Sequence, residues 1–167
     1  VWPALRARYP ELEFWIVGAR PTAAVRALAA RPGVVVTGRV DDVRPWLAHA
    51  ALAVAPLRVA RGLQNKVLEA MAMARPVVAS PAATVGLDAA TRETLTTATD
   101  AAEMRRAIAA LLADPARRAA LGAAGRTRMT TAWTWRAGLT ALDRRLAAGG
   151  IDLDPALERV EIGRAHV

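Results

Sequence analysis

The chain has 167 residues, 54% of them hydrophobic and 4% aromatic, with a formal net charge of +8 and no cysteine. That length carries one domain with a real core and is short for two. The missing cysteines exclude a disulfide framework and a thiolate metal site, and no run approaches the roughly 18 apolar residues of a membrane span. The positive charge invites a polyanion partner. Its arginines, however, are scattered through helical segments rather than massed in a block, which weighs against nucleic acid. Abundant alanine and an arginine-for-lysine bias are the marks of a GC-rich genome.

In chain order, Val1 to Tyr9 reads as the end of a helix. Leu12 to Val17 is an apolar, aromatic-rich run closed by Gly18, the pattern of a buried strand and a turn. Pro21 suits the first turn of a helix running to Ala30, because it has no N–H to leave unpaired there. Arg31-Pro32-Gly33 stops that helix, and the β-branched run Val34–Thr37, ending at Gly38, forms the second strand. Asp41 and Asp42 favour the dipole at the start of the following helix. Leu52–Pro56 gives a third strand, a helix begins near Leu63, Pro76–Ala79 gives a fourth, and Thr94–Thr97 a weaker fifth. Helices then span Ala101–Ala113, Ala116–Arg128 and Trp133–Ala148, the first pair broken at Asp114-Pro115.

Short strands alternating with helices of about ten residues imply βαβ units and a parallel sheet. The strands do not alternate apolar and polar residues, as expected when helices cover both faces. The fold class expected is therefore α/β, a Rossmann-like parallel sheet followed by a helical C-terminal region. Ligands of such sheets bind beyond the carboxyl ends of the strands. Gly18, Gly38, the loop Leu57–Gly62 and the loop Ser80–Gly86 fall there.

Residues 61–80, Arg-Gly-Leu-Gln-Asn-Lys-Val-Leu-Glu-Ala-Met-Ala-Met-Ala-Arg-Pro-Val-Val-Ala-Ser, are the most informative stretch. Lys66 is the sole lysine of the chain, placed at a helix start. Gly62 lets the backbone come close to a ligand, and Gln64, Asn65 and Lys66 supply first-turn donors for a diphosphate. Lys66 adds a compact charge suited to a phosphate oxygen. Glu69 lies three residues on, on the same helix face, where a carboxylate can accept both hydroxyls of a ribose. The plain alternative is a surface ion pair between Lys66 and Glu69, worth a few tenths of a kcal/mol. The apolar continuation Ala70–Ala74 tips the reading toward a site, since so apolar a helix is buried and its start lies at the strand edge.

This stretch resembles the nucleotide-binding signature of GT-B glycosyltransferases of the group-1 (family 4) class. The family pattern is E-x7-E, then Ala-Met-Ala and Pro-Val-Val. Lys66-Val-Leu-Glu69-Ala-Met-Ala and Pro76-Val-Val-Ala match it, with Glu69 on the second glutamate and Arg61 in place of the first. The resemblance runs from Val1 to Ala148 and is nearest to a bacterial subgroup associated with exopolysaccharide and exosortase (PEP-CTERM) loci.

The resemblance implies that residues 1–149 are a nucleotide-sugar-binding domain, the C-terminal half of a GT-B fold without its first strand. It implies sugar transfer from a UDP- or GDP-sugar or similar donor, with retention, without a metal or other cofactor, to a glycan or lipid-linked acceptor bound by another domain. Glu69 would contact the ribose, while Arg61 and Lys66 would stabilise the departing diphosphate with help from Arg58. Gly62, Leu63, Gln64 and Asn65 would line the donor, and the backbone at Arg39 and Val40, after Gly38, would contact the base, although the same residues fit a plain strand-to-helix turn equally well. The expected place is the bacterial cytoplasm, with peripheral membrane association open if the acceptor is lipid-linked. A GT-B nucleotide-sugar epimerase and a non-catalytic nucleotide-binding domain stay open beside transfer. The isolated chain is expected to be inactive.

Trp133 and Trp135 read as core or packing residues, and His49 as structural, having no metal-spaced partner. Residues 150–167 read as a disordered tail. Ile162–Val167 matches a one-frame translation of a sequencing-library adapter, which would make the chain an open reading frame cut from an assembled fragment.

Overall fold

The computed structural model describes residues 1–148, so the expectations for 150–167, including the adapter match, lie outside the described residues. Those residues fall into two compact units, Val1–Met129 and a second from Thr130 onward.

The first unit opens with α1 (Trp2–Arg8), whose first turn carries Pro3. Arg6 Nη1 donates to the Leu12 carbonyl at 2.8 Å, and so fixes the link to β1 (Phe14–Val17). Helix α2 (Ala23–Ala27) is capped by Thr22 and tightens into a 3₁₀ turn at Leu28–Ala30. Pro21 therefore sits ahead of the cap rather than in the first turn, because the Thr22 hydroxyl accepts from Val25 and sets the start. Strand β2 (Val34–Gly38) and α3 (Arg44–His49) follow, with Asp42 accepting from the Arg44 N–H at 2.8 Å. Then come β3 (Ala53–Ala55), α4 (Asn65–Ala72), β4 (Val77–Ala79), the 3₁₀ turn Pro81–Thr84, α5 (Ala89–Arg92) and β5 (Thr96–Thr97).

Helix α6 (Ala101–Ala113) starts on a capping box. Asp100 accepts from the Glu103 N–H at 2.7 Å, and Glu103 reaches back to the Thr99 N–H at 2.8 Å. It buries Met104, Ile108 and Leu111, one face at helical spacing. Helix α7 (Pro115–Thr131) begins at the expected break and runs past the boundary of the first unit. In the second unit α8 (Trp135–Ala148) starts with the Thr134 hydroxyl accepting from Ala137 at 3.1 Å. Trp135 is 76% exposed, so of the two roles expected for it, core or packing between domains, the core role does not hold.

All strand pairs are parallel, and helices lie on both faces of β1. Phe14 meets Trp2 of α1 (ring centroids 5.7 Å apart), while its neighbour Trp15 meets Trp46 of α3 (5.0 Å); successive strand residues point to opposite faces. The α/β architecture thus stands. The ladder differs from a single sheet. It divides into β1–β2 and β3–β4–β5, with no pairing between β1 and β3. A core of Leu5, Val78, Ala98, Met104, Ile108 and Leu111 joins them, with Leu12, Leu52 and Val54 packed against it. β4, flanked on both sides, is buried at every residue; β1 and β3, flanked on one side, are mostly half-buried. Among the described residues no helix is long and apolar enough to cross a membrane.

Candidate functional site

In each sheet the loops leaving the carboxyl ends of the strands meet in pairs. Gly18 donates its N–H to the Gly38 carbonyl at 3.1 Å, so the β1 and β2 ends are tied. Gly38 has φ +72°, a conformation open to glycine, and turns the chain so that Arg39 is exposed and Val40 half-buried. The β3 and β4 ends are tied more firmly. The Ser80 hydroxyl donates to the Leu57 carbonyl at 2.6 Å, and the Ser80 N–H donates to the Ala55 carbonyl at 3.0 Å. Gly86 lies against Leu63 so closely that a Cβ there would stand 3.0 Å from the Leu63 nitrogen.

Between these ties runs the loop Leu57–Gln64. Its turn is made by Gly62 at φ +62°, with open space around it. Gln64 folds back, its side-chain amide donating to the carbonyls of Arg61 (3.2 Å) and Gly62 (3.3 Å). Gln64 then serves as the backbone cap of α4 without making a side-chain cap bond. The Val67 N–H takes the Gln64 carbonyl at 2.9 Å, but the N–H groups of Asn65 and Lys66 have no acceptor among the described residues. Two orphan donors at the positive end of a helix dipole face solvent.

Val67, Ala70 and Met71 are buried, and α4 packs on β3 and β4 through them. Lys66 and Glu69 fall on the opposite, exposed side. No ion pair joins them among the described residues, so the plain surface-pair alternative is not what the fold uses. Arg58 and Arg61 are exposed on the same segment. Three cations therefore accompany one carboxylate over twelve residues, around two free N–H donors. That arrangement attracts an anion and leaves one carboxylate free to accept hydroxyl donors. Leu63, 45% exposed, is its apolar surface.

Behind the site, α7 clamps the turn that ends α4. Arg126 Nη1 donates to the Ala72 carbonyl at 2.8 Å, and Gly122 lies against the carbonyl of Ala74, itself at φ +54°. Arg128 Nη2 pairs with Asp88 at 3.0 Å, and Asp88 accepts from the N–H (2.8 Å) and hydroxyl (2.9 Å) of the fully buried Thr91. The Thr91 N–H, ahead of the Arg128 charge, holds the Asp88 carboxyl below its ordinary range. None of these supports was visible as a site signal in the sequence; Ser80 and Gly86 were noted only as part of a loop.

Arg58, Arg61, Gly62, Leu63, Gln64, Asn65, Lys66 and Glu69 are thus brought together by one loop and one helix. Arg39 and Val40 lie on the other sheet, and no hydrogen bond or ion pair among those described joins them to that group. His49 keeps its structural role, Nδ1 lying 2.7 Å from the Pro45 carbonyl within α3.

The family model described as "Glycosyl transferases group 1" matches residues 1–114. A GDP-mannose-dependent monoacylated alpha-(1-6)-phosphatidylinositol monomannoside mannosyltransferase of Corynebacterium glutamicum is 33% identical over 151 residues. That alignment covers 80% of this chain and 38% of the relative, so the chain spans under two fifths of the curated relative's length. Among solved structures, sucrose-phosphate synthase from Thermosynechococcus elongatus matches with a TM-score of 0.70 at 27% identity, covering 87% of this chain and 41% of that one. WaaG, a glycosyltransferase involved in lipopolysaccharide biosynthesis, matches in fold with a TM-score of 0.61 at 19% identity, covering 79% of this chain and 37% of that one.

Proposed function

The chain belongs to the group 1 glycosyltransferases, and from that premise we propose that residues 1–149 bind the nucleotide-sugar donor of a sugar transferase. The observation that carries the reading is the unpaired Lys66–Glu69 couple beside the free N–H groups of Asn65 and Lys66 at the start of α4. A diphosphate needs cations and N–H donors, a ribose needs a carboxylate, and this segment offers both within one helical turn.

The donor diphosphate lies against the loop at Gly62–Lys66, with Arg58, Arg61 and Lys66 supplying charge. Glu69 accepts from the ribose hydroxyls, and Arg39 and Val40 face the base. During transfer the sugar–oxygen bond breaks and negative charge grows on the departing diphosphate. Lys66, Arg61 and the helix start stabilise that charge, an electrostatic contribution in place before the reaction begins. No metal or other cofactor takes part in this scheme, and the anomeric configuration is retained. The sugar passes to a glycan or lipid-linked acceptor held by another part of the protein, at the cytoplasmic face of the membrane when the acceptor is a lipid. Exopolysaccharide assembly is the pathway class proposed, on the strength of the Arg61 form of the motif. The relatives are described as a mannosyltransferase, a synthase and a glycosyltransferase, which supports transfer over epimerisation.

The test is a calorimetric titration of GDP and UDP into this chain and into Glu69→Ala, with circular dichroism confirming that both are folded. Binding that weakens at least tenfold in the variant, about 1.4 kcal/mol, supports the assignment. Equal binding by the two refutes it.

A further inference from the structure

The loop Leu57–Gln64 is held at both ends by one segment, residues 80–88. At the loop's start the Ser80 hydroxyl donates to the Leu57 carbonyl at 2.6 Å. At its end Gly86 lies against Leu63, where an added Cβ would stand 2.8 Å from the Leu63 Cδ2 and 3.0–3.1 Å from its backbone. Within the loop the Gln64 amide bonds are long, 3.2 and 3.3 Å, and lie on an exposed surface, so the loop's place is set by its two ends. The near end of the holding segment is fixed by the ladder, since β4 is buried throughout and the Ser80 N–H donates to the Ala55 carbonyl at 3.0 Å. The far end leaves a 3₁₀ turn at Thr84 and enters α5, a helix of four residues. A helix that short does not hold itself. Leu87 is buried and fixes one point of the chain there, but not the direction in which the chain leaves it.

That direction is set by Asp88, and Asp88 is held from α7. Its Oδ1 accepts from the Thr91 N–H at 2.8 Å and from Arg128 Nη2 at 3.0 Å, and its Oδ2 accepts from the Thr91 hydroxyl at 2.9 Å. Arg128 Nε donates in turn to the Thr91 hydroxyl oxygen at 3.3 Å, which closes a triangle of side chains. The Thr91 bonds are local to α5, whereas the Arg128 bond reaches Asp88 from 40 residues on. An isolated surface ion pair contributes little. This one belongs to a network whose members polarise one another, around a threonine with no exposed surface. We infer that Asp88 and Arg128 are positioning residues for the loop Leu57–Gln64: their pair holds Gly86 against Leu63, and so aims the free N–H groups of Asn65 and Lys66.

Neither residue touches the ligand in this scheme. The contacts run from Arg128 to Asp88 by an ion pair, along the chain to Gly86, from Gly86 to the Leu63 backbone by close approach, and then into the start of α4. Arg126, two residues before Arg128, donates to the Ala72 carbonyl at 2.8 Å, so α7 also holds the far end of α4. One helix thereby fixes α4 at its end directly and at its start through the segment 80–88. The holding of the loop stands by itself; its effect on nucleotide binding rests on the donor reading.

The experiment takes two measurements on the 167-residue chain: the rate of tryptic cleavage after Arg58 and Arg61, mapped by mass spectrometry, and the Kd for GDP and UDP by calorimetry. The variants are Arg128→Ala, Arg128→Lys and Asp88→Asn, with Ile108→Val in the core as the control for global loosening. Arg128→Ala and Asp88→Asn should speed cleavage about tenfold, because cleavage follows the population of the open loop, and should weaken nucleotide binding about tenfold as well. Arg128→Lys, which keeps a charge opposite Asp88, should recover most of both losses. Unchanged cleavage in Arg128→Ala and Asp88→Asn would overturn the inference, and so would equal acceleration in Ile108→Val or no recovery in Arg128→Lys. Faster cleavage with unchanged nucleotide affinity would overturn the aiming of the N–H groups. If the parent and Glu69→Ala bind nucleotide equally, the donor reading fails by itself and the cleavage rates still decide whether the pair holds the loop. Should Arg128→Ala not fold, Asp88→Asn carries the test, since asparagine still caps a helix.

Discussion

Two glycines of α7 should respond to alanine with opposite signs. At Gly122 an ideal Cβ would stand 2.1 Å from the Ala74 carbonyl oxygen and 2.9 Å from its carbon. Both atoms are backbone, in a turn already held at φ +54°, so no side chain can swing clear. Helix and turn must part by nearly an ångström before even the tightest real contact is reached. Overpacking of this kind costs up to about 3 kcal/mol, while alanine for glycine within a helix returns about 1 kcal/mol. The net loss is about 2 kcal/mol. At Gly125 the nearest atoms are three side-chain atoms of Met71 at 3.5 and 3.6 Å, an ordinary contact. There the helix gain stands alone, about 1 kcal/mol in favour of the variant. Urea unfolding followed by circular dichroism reads both. With a slope near 2 kcal/mol per molar, Gly122→Ala should lower the midpoint by about 1 M and Gly125→Ala should raise it by about 0.5 M. A Gly122→Ala variant as stable as the parent, or two variants that shift together, would refute the claim that α7 seats directly on the turn ending α4.

Gly86→Ala should push the Leu63 backbone, which lies 3.0–3.1 Å from the added carbon, and weaken nucleotide binding on the order of tenfold; unchanged affinity would show the loop contact to be idle. Ser80→Ala removes the donor to the Leu57 carbonyl, a loss of about 1 kcal/mol. It should speed tryptic cleavage after Arg58 and Arg61, mapped by mass spectrometry, and equal rates would remove Ser80 as the anchor of the loop. Asp88 is held below its ordinary range in the fold, so its contribution is complete above the unfolded carboxylate value, about pH 4, and is lost as pH falls through the lowered folded value. Asp42 and Glu103 are lowered as well, chiefly by hydrogen bonds from the Arg44 and Thr99 side chains. Asp88→Asn should therefore reduce, not abolish, the acid-side slope of stability in urea melts from pH 5 to pH 2, and an identical slope would exclude the Thr91–Arg128 interaction as its source.

The alternation of elements was legible because each local signal is strong. Val34–Thr37 is β-branched throughout, and Asp114-Pro115 can only interrupt a helix. The loop–helix segment was legible for a related reason: its chemistry lies on consecutive residues, so Gly62 through Glu69 needed no tertiary knowledge to be grouped. The start of α2 was misread because Pro21 and Thr22 both mark helix beginnings, and the hydroxyl cap decided between them. Contacts between distant segments left no local trace. Nothing in the neighbourhood of Gly122 or Gly86 says that a backbone carbonyl or the Leu63 backbone lies against it. Trp135, apolar and aromatic, reads as core in any local window and is exposed all the same.

The same distinction explains how the candidate site is built. Its reactive groups sit on an exposed loop and a single helix turn, where cations and free N–H donors remain available to a ligand. What holds them lies elsewhere: Ser80 and Gly86 behind the loop, Gly122 and Arg126 behind the helix end. Each support acts on backbone, through a carbonyl or a close approach, so it constrains position without consuming any side chain the ligand would use. A site made this way can exchange Arg61 for a glutamate, or the reverse, without disturbing its frame, because the Arg61 contact within the loop is made by its carbonyl to Gln64 and leaves the side chain outside. Variation at that position can then change the chemistry the loop offers while the fold stays the same.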